Sequence, residues 1–231
     1  MKIFLLFFSL ILSLNAISET KTTDRESNDY KYTSLGIHFI ESEKSGFAIN
    51  LSLDLLGPFY ATFERKADGI DYKTESYDKV VDTFRLGAHK GIGDLIGGVS
   101  LKDFKFKIKN LFDVFVEVGV KTSDFDGKKF DFEGDSTFAS YVGGIRFGNS
   151  NNFEGKIFLD ISKEARIIDS GDPTCQALIC PPYSAEIYDE SDKKFGAGLL
   201  YNINNRSAIF IEMSSSNVID NMFKIGYQLN F

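Results

Sequence analysis

The chain ends Met222-Phe-Lys-Ile-Gly-Tyr-Gln-Leu-Asn-Phe231, and the rest is read from this stretch outward. Phe223, Ile225, Tyr227, Leu229 and Phe231 fall on one face of a period-2 strand; Lys224, Gly226, Gln228 and Asn230 fall on the other. One face suits hydrocarbon and the other water. The same alternation recurs upstream. Phe47, Ile49, Leu51, Leu53 and Leu55 alternate with Ala48, Asn50, Ser52 and Asp54, and Val114, Val116, Val118 and Val120 alternate with Phe115, Glu117, Gly119 and Lys121.

Between such runs the chain carries turn chemistry. Leu56-Gly57-Pro58, Asn149-Ser-Asn-Asn152 and Asn204-Asn205 are tight connections, because Gly and Asn tolerate positive φ and Pro ends ladder pairing. Longer polar stretches at 65–78, 124–135 and 167–193 read as surface loops, and 42–46 and 216–220 as short ones. Ten strands follow, the first from Tyr30 to Glu41, with eight and twelve as the neighbouring alternatives. The count turns on 91–112, which is Gly-rich at its start and then sets Phe104, Phe106 and Ile108 against Lys105, Lys107 and Lys109. It reads as an excursion at the end of the barrel that bears the termini rather than as an extra strand pair.

The N-terminus sets the compartment. Lys2 is followed by an apolar run from Ile3 to Leu14 and by Ala16-Ile17-Ser18, the pattern of a cleaved secretory signal over 1–18. That run falls short of the ~20 residues a membrane-spanning helix needs. Residues 19–29 are polar and aperiodic and read as a flexible lead-in, leaving 30–231 as one domain. Cleavage after Ser18 leaves 25 Lys and Arg against 33 acids, a formal charge of −8, which disfavours nucleic acid as a partner. The 23 Phe and 10 Tyr suit β-structure, while a mean hydropathy just below zero is what alternating lipid and lumen faces produce.

With Tyr141-Val-Gly-Gly-Ile-Arg-Phe147, Phe195-Gly-Ala-Gly-Leu-Leu-Tyr201 and the final Ile225-Gly-Tyr-Gln-Leu-Asn-Phe231, the chain resembles small bacterial outer-membrane β-barrels of the porin-like and opacity type. The resemblance implies an all-β, closed antiparallel transmembrane barrel with both termini in the periplasm. It also implies an assembly signal in Phe223, Tyr227, Leu229 and Phe231, export with the help of periplasmic chaperones, insertion by the barrel assembly machinery, and a rim set in lipopolysaccharide. The architecture hosts scaffolds, adhesins, channels and a few enzymes, so it does not give function.

Period-2 phasing turns His38, Asp54, Glu64, Arg85, His89, Glu117, Lys121, Arg146, Glu154, Lys156, Asp160, Glu212 and Lys224 inward. In a narrow barrel such charges must find one another or water. The expected lumen is a polar packing that braces the wall and is largely plugged, giving a structural or surface-interaction role; a narrow channel for small solutes is the alternative. Inward glycines, Gly36, Gly87, Gly119, Gly144, Gly198 and Gly226 among them, would make room for Tyr60, Phe115, Phe138 and Phe158. A lipid-acting hydrolase of the lipid A deacylase kind would need a His near the outer rim, and His38 with Glu41 and Ser42 is the sole candidate set. No catalytic residues are assigned. No cofactor pattern is present, and Cys175 and Cys180, the only cysteines, are too few for a zinc site. In an exported chain their close spacing reads as a disulfide that shapes loop 167–193, a possible contact for an extracellular partner.

An even strand number requires Phe223–Phe231 to pair with the first strand. Deleting Phe231 is therefore expected to impair assembly; a truncated chain that inserts fully into the outer membrane and stays heat-modifiable on gels would refute this.

Overall fold

The computed structural model describes residues 30–72, 75–91, 112–126, 136–148, 152–169, 185–217 and 221–231. Among them are ten strands and no helix: β1 (Ser34–Glu41), β2 (Ser45–Asp54), β3 (Phe59–Tyr72), β4 (Glu75–Gly91), β5 (Phe112–Asp126), β6 (Ser136–Gly148), β7 (Phe153–Asp169), β8 (Ala185–Asn204), β9 (Ser207–Ser215) and β10 (Met222–Asn230). Each strand pairs antiparallel with its sequence neighbours, and β1 pairs with β10, so the sheet is a closed barrel. The closing ladder runs from Ser34↔Asn230 through Ile37↔Tyr227 to Glu41↔Phe223. Ser34 and Asn230 thus mark the terminal end of the barrel, and Glu41 and Phe223 the far end.

Parity sorts the side chains. Ile37 and Phe39 on β1, Phe47 and Ile49 on β2, Val116, Val118 and Val120 on β5, and Ile225, Tyr227 and Leu229 on β10 are all exposed on the outer surface. Their intervening neighbours His38, Ala48, Lys121 and Lys224 are buried inside. Phe223 to Phe231 covers roughly 27 Å along its strand at ~3.4 Å per residue, or about 20 Å of barrel height at a tilt of ~40°. At the far edge of this belt the outer face turns polar with Glu41, Arg65, Lys163 and Lys193, and Arg65 pairs with Asp82 at 3.6 Å.

The limits of several strands differ from the sequence reading. The charged stretch 65–78 is largely hairpin, its ladder continuing from Arg65↔Asp82 to Tyr72↔Glu75. Within 167–193, β7 and β8 stay paired from Asp160↔Lys194 out to Asp169↔Ala185. Residues 124–126 extend β5. Beyond the belt a hairpin needs no apolar face, so hydropathy misses it while the backbone ladder continues. At the first strand the correction runs the other way: β1 begins at Ser34, and Tyr30 to Thr33 leave the wall.

β4 and β5 pair directly, down to Gly91↔Asp113, so the wall closes with ten strands. Residues 92–111 lie outside the described residues, as do 1–18, 19–29 and the pair Cys175 and Cys180.

Glycine is required where rings cross the lumen. A Cβ on Gly87 would sit 2.3 Å from Tyr60 Cζ, and one on Gly196 2.2 Å from Phe158 Cζ, with Gly144 similarly placed against Phe115. At Gly57 the requirement is conformational, since its φ is +73° in the β2–β3 turn. Gly143, on the outer face, has nothing within 4 Å of an added Cβ. Gly87→Ala should therefore cost about 1–3 kcal/mol by displacing Tyr60, whereas Gly143→Ala should cost none. Urea unfolding of the barrel in lipid vesicles measures both; equal midpoints would contradict the ring-for-glycine packing.

Candidate functional site

The functional candidate is the lumen, where strands distant in sequence bring their inward side chains together. The structure places twelve of the thirteen charged positions there. Asp54, the last residue of β2, is instead exposed at the terminal rim. Its strand ends one residue before the turn, so its carboxylate reaches solvent.

In the middle layer Lys224 on β10 reaches across the barrel to Glu64 on β3, with Nζ 2.9 Å from Oε2. Lys224 also lies 3.8 Å from Glu212, which Lys156 meets at 2.6 Å. Beside this chain Arg85 bonds Asp160 at 3.2 Å, lies 3.8 Å from Glu117 and donates Nε to Ser140. Tyr60 completes the row by donating to Glu117 at 2.8 Å. Three cations and four acids thereby form a lattice linking β3, β4, β5, β7, β9 and β10. Pairing of this kind is what makes burial of the charges tolerable, because a lone ion in the interior costs several kcal/mol.

The terminal layer is built on Arg146, which meets Glu154 at 2.6 Å. Glu154 accepts a second bond from Asn202 Nδ2, and Asn230 and Gln228 extend the row. His89 lies 3.1 Å from Asp113. Into this layer projects Tyr32, from the segment ahead of β1. It donates to Asp113 at 2.6 Å and stacks on His89 with ring centroids 3.8 Å apart. Burial pushes the Tyr32 hydroxyl well above the ordinary phenol range, so it remains a donor. The far layer holds Lys121 against Ser162, Lys194 against Asp192 and Lys66 against Asp68.

Sequence phasing missed Tyr32 because it continues the inward parity of Ser34 and Gly36; the signal against a strand is polar Lys31 and Thr33 at the outward positions. Asp113 was legible from its parity with Glu117.

A cavity of about 230 Å³ follows the lumen. Lys31 and Tyr32 line its terminal end, Arg85 and Glu64 its middle, and Lys194 and Met222 its far end. His38 is buried in it, with Nδ1 lacking a hydrogen-bond partner among the described residues and its ring edge-on to Phe210. Glu41 faces outward and accepts from Ser45 at 2.7 Å. The structure therefore does not assemble His38 and Glu41 into a catalytic pair. Among the described residues no cluster of His, Cys, Asp and Glu could hold a metal.

Lys224→Met should destabilise the barrel by about 3–5 kcal/mol, since it strands Glu64 and Glu212 in the interior. Adding Glu64→Gln should recover part of that loss, and a double variant as unstable as the sum of the singles in urea titrations would deny the coupling.

No family model and no curated protein matches the chain. Among solved structures it is similar to the NanC porin, at 8% identity and a TM-score of 0.41, over 86% of this chain and 99% of that one. The KdgM porin gives 9% identity and a TM-score of 0.37, over 86% and 99%. The β domain of the Bordetella autotransporter BrkA gives 11% and 0.36, over 87% and 100%. Likeness of this degree says nothing about activity, and the fold rests on the chain's own ladders. By those ladders it is a closed, ten-stranded antiparallel β-barrel.

Proposed function

We propose that this chain is a bacterial outer-membrane barrel with a structural or surface-interaction role, whose lumen is shut to solutes at rest and which carries out no catalysis. The observation that carries this reading is the lumen lattice. Lys224, Lys156 and Arg85 each meet a carboxylate on a non-adjacent strand and Arg146 meets Glu154 on the neighbouring one, so charges that could line an open aqueous path are spent on bracing the wall. The outer-membrane setting is supported by the exposed apolar belt, which water would not tolerate, and by the signal-peptide pattern at 1–18.

In this setting the belt meets lipid, the far rim meets lipopolysaccharide, and Phe223, Tyr227, Leu229 and Phe231 serve the assembly machinery after passage with periplasmic chaperones. The paired strands within 167–193 raise a hairpin beyond the belt, the natural place for an extracellular partner. Cys175 and Cys180 are proposed to bridge at its tip.

A narrow channel for small solutes is the second reading, favoured by the cavity that follows the lumen from Tyr32 to Met222. At about 230 Å³ it holds a file of water molecules, each needing roughly 10–15 Å³ on this measure. Purified protein reconstituted in planar bilayers decides between them. The proposed role predicts a heat-modifiable, inserted barrel without resolvable unitary current; regular unit steps from the unmodified protein would favour the channel.

A further inference from the structure

The segment ahead of β1 crosses the mouth of the barrel. In a closed ring of ten strands β6 lies diametrically opposite β1, and the short segment 30–33 reaches it. Tyr30 donates to the Gly148 carbonyl at 3.3 Å, and Arg146 on β6 donates to the Lys31 carbonyl at 3.4 Å. The Arg146 guanidinium also lies over the rings of Tyr30 and Tyr32, at 5.1 and 4.6 Å. Lys31 Nζ donates to the Asn205 carbonyl in the β8–β9 turn. Tyr32, only 6% exposed, stacks on His89 of β4 and lies 4.6 Å from Tyr60 of β3.

Thr33 is the hinge. Its carbonyl accepts from Phe231 N at 3.0 Å and its hydroxyl from Asp54 N at 3.0 Å, fixing it to the wall on both sides. Residues 30–32 belong to no strand and are held by side-chain contacts and hydrogen bonds rather than by a backbone ladder. Lys31 and Tyr32 also line the terminal end of the lumen cavity, which continues past Arg85 to Lys194 and Met222. The lattice therefore lines this cavity, and residues 30–32 form a strap across its terminal end.

We propose that residues 30–32 are a removable stopper: with Tyr32 seated against His89 and Asp113 the lumen is shut at its terminal end, and with Tyr32 withdrawn it passes small ions. This rests on the reading of the chain as a membrane barrel closed at rest. It adds the place of closure and the residue that effects it. Stacking holds the stopper through the ring and the hydroxyl adds one bond, so the two contributions are separable by substitution.

The test is conductance of the full chain in planar bilayers bathed in KCl, with heat-modifiability confirming that each variant is folded. Tyr32→Ala should convert a silent barrel into one with regular unit steps, while Tyr32→Phe, which keeps the ring, should stay nearly silent. A folded Tyr32→Ala barrel as silent as the unmodified protein overturns the stopper and leaves the closed-lumen role standing. Unit steps of equal size and frequency in the unmodified protein overturn both. Should Tyr32→Ala fail to fold, the double variant Tyr30→Ala/Lys31→Ala loosens the strap at the rim alone. It should flicker open, and silence from it counts against the stopper as fully.

Discussion

Hydrocarbon offers no hydrogen bonds, so a sheet that lies in it can leave no backbone edge unpaired. The β1–β10 seam meets that condition, and nearly everything else follows from it. Once the ring is closed, parity leaves no freedom: each strand must send one set of side chains to the outer surface and the other to a confined interior. The ladder Ile37↔Tyr227, with both side chains outward, keeps the belt continuous across the seam. A slip of β1 by one residue there would put His38 into the belt and Ile37 into the lumen.

The interior is narrow because the strands number only ten, and narrowness forces the chemistry of the lumen. Rings that cross it need glycine opposite them, as Tyr60 needs Gly87. Charges that line it need counter-charges within reach, as Lys224 needs Glu64 and Glu212. Contacts between residues 160 apart in sequence, such as that of Lys224 with Glu64, tie non-adjacent strands together through the lumen. The wall is thereby braced twice, by backbone ladders around its circumference and by ion pairs across its interior.

Much of this is legible in the sequence because alternation has only two phases. Ile225, Tyr227 and Leu229 announce their face without knowledge of any partner, and so do the inward charges from Glu64 to Lys224. The even strand number likewise fixes which strands meet at the seam. What one-dimensional phasing lacks is the stagger of neighbouring strands, which decides that Arg85 meets Asp160 rather than some other inward acid. Hydropathy also equates a strand with its apolar-faced part, so the paired segments 65–72 and 185–193 pass for loops although their ladders are unbroken. Tyr32 is hidden for the opposite reason: its parity is that of a strand, and only the polar Lys31 and Thr33 beside it betray that the chain has left the wall.

That departure has a physical cause. A strand extended through Tyr30 would carry Lys31 and Thr33 on the outer face, in continuity with Leu35 and Ile37, at the very edge of the belt. Turning the segment inward removes this conflict. It gives Lys31 a carbonyl partner at Asn205, sets both tyrosine rings against the Arg146 guanidinium and gives the Tyr32 hydroxyl Asp113 to bond. Arg146 then serves two structures at once, as partner of Glu154 in the terminal layer and as ceiling for the strap. The bracing of the lumen and the closing of its mouth are therefore coupled through one guanidinium, so whatever loosens the Arg146–Glu154 pair also loosens the seat of Tyr32.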